Sequence, residues 1–282
     1  MNNFMKANKL ILGTVQFGVQ YGVNSAGRPD AAMVYSILEE AYNNNIRILD
    51  TSSAYGNAEE ILGTTIDKEN LFKIVSKYPK CDKSVKECFD QSLKDLKVER
   101  LYGYLLHHFS VYQENPTMWK DMLALKYSGK VKKVGFSLYS PSELEIILND
   151  NIEFDIIQIP YNIFDRQFES YFSLLKEKGV EIHVRSTFLQ GLFFKERNHL
   201  PPKLQPLKPY LEQLDVYAQN QQISIAELAL NYNLQNKYID GVLIGVDNVE
   251  QLKTNLSSII DFPINLSIPV KEKELLNPVN WK

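Results

Sequence analysis

Four side chains that can transfer protons follow closely on short apolar runs of the sequence. Asp50, Lys77 and His107 each close such a run, and Tyr55 comes five residues after Asp50. A carboxylate, an ammonium, a phenol and an imidazole are groups that proteins use for general acid and base catalysis. A lysine amine can instead act as a nucleophile toward a carbonyl carbon. The four residues form one site only if the fold places the ends of their runs side by side.

The apolar runs have the composition of β-strands and alternate with segments of helical periodicity. Runs that end at residues 50, 77, 107 and 137 are separated by 27, 30 and 30 residues, the length of one strand, one helix and two loops. This spacing predicts a parallel sheet, and eight such units favour a single-domain (β/α)8 TIM barrel over residues 1–282. The predicted strands are 9–13, 46–50, 72–77, 104–107, 133–137, 156–160, 181–186 and 241–245.

The carboxyl ends of parallel barrel strands meet at one rim, where catalytic groups of such barrels lie. Neighbouring strands are about 4.8 Å apart, so residues that close consecutive strands can converge on one spot. Asp50, Lys77 and His107 close three consecutive predicted strands. We therefore expect them to meet at this rim, together with Tyr55.

The interval between the last two predicted strands is longer than one unit. It runs for 59 residues from Ser186 to Gly245. We expect a long insertion between strands 7 and 8 that holds an additional helix or a long loop. Prolines mark an irregular stretch within it, at Pro201, Pro202, Pro206 and Pro209.

The composition excludes several classes of partner. The formal net charge is -3, and no basic run is longer than Lys132-Lys133, so no nucleic acid or anionic membrane is expected to bind. Residues 1–12 lack a leader-like apolar segment, and nowhere do 18 apolar residues run together, which predicts a cytoplasmic protein. The two cysteines and four histidines match no zinc pattern, so no metal is expected, and Cys88 on an apolar helical stripe is expected to pack in the core. The oligomeric state stays open.

Each candidate also has an ordinary structural explanation when taken alone. Asp50 could cap a turn, Tyr55 is one of 16 tyrosines, and Lys77 could be a solvated strand end. His107 or His108 could be a structural histidine. Burying an unpaired Asp or Lys at a barrel mouth costs several kcal/mol, so the set together indicates paired, functional groups.

Eight short motifs occur in order along nearly the whole chain. They are Leu12-Gly13-Thr14-Val15-Gln16-Phe17-Gly18, Asp50 with Tyr55-Gly56, Ser76-Lys77, Leu105-Leu106-His107, Gly135-Phe136-Ser137, Gln158 with Tyr161-Asn162 and Asp165-Arg166, Gln190-Gly191-Leu192, and Gln251 with Asn255. In these motifs the sequence resembles the aldo-keto reductase family. The resemblance implies a (β/α)8 barrel that binds a nicotinamide dinucleotide, NADP(H) or NAD(H), without a Rossmann Gly-x-Gly-x-x-Gly motif, and that reduces a small aldehyde or ketone.

The resemblance implies a role for each rim residue. Tyr55 is the proton donor to the developing alkoxide, and a cationic Lys77 beside it is expected to lower the pKa of the phenol. Asp50 holds Lys77 charged and oriented. His107 donates a hydrogen bond to the carbonyl oxygen. His107 rather than His108 is chosen because the histidine of the family directly follows the apolar strand.

The resemblance also assigns cofactor contacts. Their alternative explanation is turn and helix-cap chemistry, since Asn248 and Gln251 also fit an Asn-x-x-Gln cap. The assigned contacts are Gly13 and Thr14 near the nicotinamide, Ser137 and Gln158 at its carboxamide, Ser186, Phe188, Gln190 and Gly191 along the pyrophosphate, and Gln251 and Asn255 at the adenosine end, together with Arg185 and Gly245.

Two features depart from the family pattern. Relatives that prefer NADPH hold its 2′-phosphate with Lys, Ser or Arg in the segment that here runs from Gly245 to Gln251, which contains no cation and two carboxylates, Asp247 and Glu250. These would repel the phosphate, so we expect weak NADPH preference and use of NADH. Arg185 stands where many relatives place an aromatic ring on the nicotinamide, which favours an anionic or sugar-derived carbonyl substrate unless Arg185 instead joins a helix-facing salt bridge.

Two other functions fit the same barrel. One is a Schiff-base aldolase or lyase with Lys77 as a nucleophile of low pKa, although Asp50 beside it would raise that pKa. The other is a non-catalytic subunit that keeps the barrel and the nucleotide, a role that should leave a large exposed apolar patch.

Overall fold

The computed structural model describes residues 7–22, 27–66 and 72–281. Eight parallel strands close into a barrel in chain order, and the first pairs with the last. This confirms the predicted (β/α)8 fold. The predicted domain covers residues 1–282, and part of it lies outside the described residues. So does part of the segment 1–12, in which the sequence predicted no leader. The strands are β1 Leu10–Gly13, β2 Ile48–Asp50, β3 Lys73–Tyr78, β4 Leu101–Leu106, β5 Val131–Ser137, β6 Ile156–Pro160, β7 Glu181–Arg185 and β8 Gly241–Gly245.

All eight predicted strands are present, with shifts at several ends. β2 starts late because the N–H of Ile46 donates to Ala41 O and closes the preceding helix. β7 ends at Arg185, one residue early, because Ser186 has a φ of 65°, outside the β region. β4 starts three residues earlier than predicted and ends at Leu106, so His107 follows the strand directly.

Helices cover the outside of the barrel, and caps fix the ends of some of them. Ser224 and Glu227 form a reciprocal capping box at the start of the helix Ile225–Leu234. Gly179, with a φ of 74°, follows the end of the helix Phe172–Glu177. The α-helices are α1 Val15–Gly18, α2 Ala31–Asn43, α3 Ala58–Thr65, α4 Val85–Leu96, α5 Phe109–Glu114, α6 Trp119–Tyr127, α7 Pro141–Asn149, α8 Phe172–Glu177, α9 Lys208–Gln221, α10 Ile225–Leu234 and α11 Val249–Ser257.

The insertion between β7 and β8 has the predicted extra structure. It contains three 3-10 segments, Leu189–Phe194, Arg197–His199 and Pro202–Leu207, followed by α9 and α10. Leucines of this insertion pack with Ile268 and Leu275 of the C-terminal segment in a second apolar core. The larger core lies between the barrel and its helices.

The interior of the barrel fixes which residues reach the rim. Val75, Leu105 and Ile156 form a small apolar cluster of their own, apart from the core beneath the helices. Side chains two positions apart on a strand point the same way. Lys77 and His107 therefore stand above Val75 and Leu105 at the carboxyl end of the barrel.

Across the part of the chain that the structure covers, no helix combines the length and the hydropathy needed to cross a lipid bilayer. Within the same residues, no group of three or more His, Cys, Asp and Glu side chains is arranged to hold a metal ion.

Candidate active site

A buried ion pair lies at the centre of the rim. Lys77 Nζ is 2.6 Å from Asp50 Oδ1, and the two side chains are 0% and 3% exposed. The same ammonium donates to Thr51 O at 2.8 Å and to Tyr55 Oη at 3.4 Å. The three hydrogens of Lys77 therefore have three acceptors, one of which is the phenol oxygen.

The second carboxylate oxygen of Asp50 is also bound. Gln158 Nε2 donates to Asp50 Oδ2 at 2.7 Å, across 108 positions of sequence. Gln158 was assigned to the cofactor carboxamide, and the structure adds this contact with the rim carboxylate. The bond fixes Asp50 between an amide on β6 and an ammonium on β3.

The loop that carries Tyr55 is held by backbone contact with the loop after β1. A Cβ placed on Gly18 would lie 1.6 Å from Tyr55 O, so only glycine fits there. Gly56 has a φ of 58°, and a Cβ on it would lie 2.6 Å from Gly18 O. The N–H of Tyr55 also donates to Ser52 O at 2.9 Å. These contacts direct the phenol toward Lys77.

His107 is the histidine that faces the site. Ser52 Oγ lies 3.0 Å from His107 Nδ1, and the His107 ring meets the ring of Tyr55 edge to face at 5.6 Å. His108 is exposed, and its ring stacks on the ring of His107 with the ring centres 4.7 Å apart. The parity argument from Leu105 supports the choice of His107 that the sequence suggested.

The pKa values of three rim residues are displaced. Burial alone would lower the pKa of Lys77, but Asp50 and Tyr55 outweigh it and raise that pKa. Burial raises the pKa of Tyr55. The charge of Lys77 acts in the predicted direction and lowers that pKa, but burial outweighs it. Burial, followed by the charge of Lys77, lowers the pKa of His107 to about 2. At neutral pH the rim thus holds a neutral phenol, a neutral imidazole and a charged lysine.

A long cavity of about 740 Å³ opens from this rim. Lys77 lies behind Asp50 and Tyr55 and does not line the cavity. Among the assigned cofactor contacts in the described part of the chain, only Ser137, which is 3% exposed, does not line it. Asp50, Tyr55 and His107 lie in its wall. So do the other assigned contacts: Gly13, Thr14, Gln158, Arg185, Ser186, Phe188, Gln190, Gly191, Gly245, Gln251 and Asn255.

The loop after β7 has an unusual backbone along this cavity. Ser186, Leu189, Gln190 and Gly191 have φ values of 65°, 47°, 51° and 89°. Non-glycine residues rarely adopt this region, and when they do it is often at ligand sites. Successive turns of this kind present backbone N–H groups to anions. Gln190 Nε2 also donates to Tyr21 Oη at 2.7 Å and thereby joins the loops after β7 and β1 at the cavity.

The far end of the cavity carries acidic side chains. Asp247 and Glu250 line it, whereas Lys253, 3.4 Å from Glu250 Oε1, does not. Asn248 caps α11 by accepting from Gln251 N at 2.9 Å, and Gln251 Oε1 accepts from Asp247 N, so the cap expected as the alternative for Gln251 does form. Among the lining residues that the structure describes, Arg185 is the single Lys or Arg.

Arg185 stands between two cavities. Its guanidinium lies 4.1 Å from the centre of the Tyr139 ring, and its Nη2 donates to Leu138 O at 3.1 Å. Arg185 and Tyr139 line both the main cavity and a side cavity of about 250 Å³ that also contains Asp165 and Lys273. Arg185 is therefore directed toward the site, as the sequence suggested, and not toward a helix.

Several functional neighbours were not identified from the sequence. Thr51 and Ser52 lie in the polar segment between Asp50 and Tyr55, and neither was a candidate from the sequence. Glu59, 4% exposed on α3, accepts from Ser76 and Ser92, and burial raises its pKa. Pairing a helix carboxylate with serines on β3 and α4 depends on contacts that residue spacing does not encode.

Comparison with known proteins places this geometry in a family. The sequence model of the Aldo/keto reductase family matches residues 9–267. The chain belongs to the aldo/keto reductase family. It is an NAD(P)-dependent oxidoreductase of the type that acts on carbonyl compounds.

Individual relatives are distant and cover most of the chain. An NADH-specific methylglyoxal reductase of Escherichia coli (strain K12) is 25% identical, with 86% of each protein covered. An L-galactose dehydrogenase of Arabidopsis thaliana is 24% identical over 92% of this chain and 86% of that protein. Among solved structures, an aldo-keto reductase from Bacillus halodurans in its holo form has the same fold, with a TM-score of 0.73 and 21% identity over 95% of this chain and 90% of its own.

Proposed function

We propose that this aldo/keto reductase family member reduces an aldehyde or ketone to an alcohol, with NADH as the hydride donor and Tyr55 as the proton donor. One observation carries the proposal: Lys77 donates to Tyr55 Oη while Asp50 and Thr51 take its other two hydrogens. A phenol oxygen that accepts from Lys77 keeps its own proton free for an alkoxide. When bound, a nicotinamide dinucleotide would supply the hydride for the carbonyl carbon.

The imidazole of His107 is set to stabilise the carbonyl oxygen. Ser52 Oγ accepts from the N–H of Ala54 at 3.1 Å, which leaves the serine hydrogen available for His107 Nδ1. A neutral imidazole that accepts at Nδ1 carries its proton at Nε2. That Nε2–H donates to the carbonyl oxygen as negative charge develops there.

The lining of the cavity supports the binding of a nicotinamide dinucleotide. Its volume of about 740 Å³ is within the range of cofactor sites, and Gln16 Oε1, buried in its wall, has no hydrogen-bond partner among the described residues. The nicotinamide end is assigned to Gly13, Thr14, Ser137, Gln158 and Arg185, the pyrophosphate to Ser186, Phe188, Gln190 and Gly191, and the adenosine end to Gly245, Gln251 and Asn255.

The preference for NADH rests on the acidic end of the cavity. Asp247 and Glu250 would face the 2′-phosphate of NADPH, and the nearby Lys253 already pairs with Glu250. Like charges at partly buried positions cost about 1 kcal/mol or more each. The relative from Escherichia coli that is named NADH-specific supports the same choice.

The position of Arg185 supports the proposal that the substrate is anionic or sugar-derived. Its planar guanidinium can hold a carboxylate, phosphate or vicinal hydroxyl group beside the carbonyl that Tyr55 protonates. The side cavity next to Arg185 provides room for the rest of such a molecule. A small carbonyl compound as partner and a cytoplasmic location stay predictions of the sequence.

The Schiff-base alternative is not supported by the state of Lys77. A nucleophilic amine must be neutral and reachable, whereas Lys77 is 0% exposed and its pKa is raised. A non-catalytic nucleotide-binding subunit remains the alternative that the experiment must separate.

Two measurements test the proposal. Quenching of protein fluorescence by NADH and NADPH should give the tighter dissociation constant for NADH. Oxidation of NADH should then proceed with neutral, acidic and sugar-derived aldehydes and ketones. Cofactor binding without turnover on the whole panel would favour the non-catalytic subunit, and a much tighter constant for NADPH would overturn the NADH preference.

A further inference from the structure

The two cysteines of the chain lie side by side outside the active site. Cys81 Sγ is 3.3 Å from Cys88 Sγ. A disulfide bond is about 2.05 Å long, so bond formation requires the sulfur atoms to approach by only about 1.3 Å. Cys81 stands in the turn between β3 and α4, and Cys88 stands near the start of α4.

Rigid elements hold both cysteines in place. Tyr78 Oη donates to Lys83 O at 2.7 Å and closes the turn that carries Cys81. The start of α4 is fixed by a capping box between Ser84 and Glu87. The approach of the two sulfur atoms thus follows from local structure on each side.

We infer that Cys81 and Cys88 are a modification site, at which a low-molecular-weight disulfide such as oxidised glutathione converts the two thiols into one intramolecular disulfide. Cys81 is the exposed entry thiol, and Cys88, 6% exposed, is the buried partner. Neither residue lines the 740 Å³ cavity, so the modification site is separate from the reductase site.

The reaction proceeds by two thiol–disulfide exchanges. The thiolate of Cys81 attacks one sulfur of oxidised glutathione, which forms a mixed disulfide and releases one glutathione thiolate. The thiolate of Cys88 then attacks Cys81 Sγ, which closes the protein disulfide and releases the second glutathione. The protein loses two electrons and two protons, and oxidised glutathione is reduced to two molecules of glutathione.

Exposure and burial assign the order of the two steps. Burial, reinforced by Cys81, raises the pKa of the Cys88 thiol, so little of it is thiolate before Cys81 has reacted. The mixed disulfide then lies next to Cys88, where proximity speeds the second exchange.

The test uses the full chain in buffers that contain reduced and oxidised glutathione in varied ratio. After alkylation of free thiols and trypsin cleavage, we expect peptides 81–83 and 87–94 to appear joined by a disulfide, with no retained glutathione. Excess reduced glutathione should restore two alkylatable thiols. Recovery of both thiols under oxidising conditions, or of disulfide-linked dimers alone, would overturn the inference.

Single variants separate the roles of the two cysteines. Cys88→Ser, with Cys88→Ala as a second variant, should stop at a stable glutathione adduct on Cys81. Cys81→Ser should leave Cys88 unmodified in the folded protein. Equal glutathione labelling of Cys88 in Cys81→Ser and of Cys81 in Cys88→Ser would contradict the assignment of Cys81 as the entry thiol.

Discussion

Asp50 Oδ1 and Lys77 Nζ are 2.6 Å apart at the rim of the barrel, in an ion pair that solvent barely reaches. For an ion pair buried this deeply, the attraction between the charges seldom exceeds the free-energy cost of removing them from water. Here it also orders two neutral groups, because Lys77 binds Tyr55 and Asp50 binds Gln158.

Breaking this ion pair should separate stability from catalysis. Lys77→Met leaves Asp50 buried without its cation, and we expect a loss of about 3–5 kcal/mol in the free energy of unfolding. The double variant Asp50→Asn, Lys77→Met should recover most of that loss in urea unfolding. Neither variant should reduce carbonyls at a measurable rate. An equal free energy of unfolding for the single and the double variant would show that the buried charge of Asp50 does not need Lys77 for stability.

Removal of the phenol hydroxyl should abolish proton donation and leave the cofactor site intact. For Tyr55→Phe we expect kcat for carbonyl reduction to fall by about 10²- to 10⁴-fold. The dissociation constant for NADH, measured by fluorescence, should be unchanged. Tyr127→Phe, at an exposed position on α6, is the matched control. Turnover of Tyr55→Phe near the wild-type rate would remove Tyr55 from the mechanism.

The neutral state of His107 should make the protein sensitive to acid. The pKa of His107 is lowered from 6.5 to about 2. The contribution of the neutral imidazole to the free energy of unfolding is therefore complete above pH 6.5 and is lost as pH falls toward 2. The loss is about 1.4 kcal/mol per pH unit between these two pKa values when no water enters to solvate the protonated ring. His107→Gln should therefore lose stability less steeply than wild type below pH 6.5. His199→Gln, at an exposed position, should follow wild type, and parallel curves for all three proteins would contradict the argument.

Cofactor choice should respond to charge at the far end of the cavity. Glu250→Lys replaces a repulsive group with an attractive one, and we expect NADPH to bind at least about tenfold more tightly, which corresponds to about 1.4 kcal/mol. Binding of NADH should change much less. Glu39→Lys on α2, away from the cavity, controls for net charge. An equal gain with both variants would trace the effect to long-range attraction.

Arg185 should matter only for substrates that it can bind. Arg185→Ala should lower kcat/KM for acidic carbonyl compounds by about 10- to 100-fold, the value of one lost charge-assisted contact, and leave neutral ones nearly unchanged. Arg185→Lys keeps the charge and loses the planar fork, so its effect should be intermediate. Unchanged turnover of acidic and neutral compounds alike by Arg185→Ala would reject this role.

Strand spacing was sufficient to predict the barrel and to place Asp50, Lys77 and His107 near one rim. Lys77, one residue before the end of β3, and His107, directly after β4, lie at the same rim because parallel strands share it. The direction of the Tyr55 pKa could not be predicted, since it depends on how deeply the loop is buried. The bond from Gln158 to Asp50 was also missed, because it crosses the barrel between β6 and β2 and leaves no periodic signal.

The contact between Gly18 and the Tyr55 carbonyl also couples the first two loops of the barrel mechanically. Because no side chain separates these backbones, a shift of Tyr55 would also displace the segment that begins the cavity wall at Thr14. Amino-acid replacement at Gly18 in the first loop is thus restricted by the position of Tyr55 on the second.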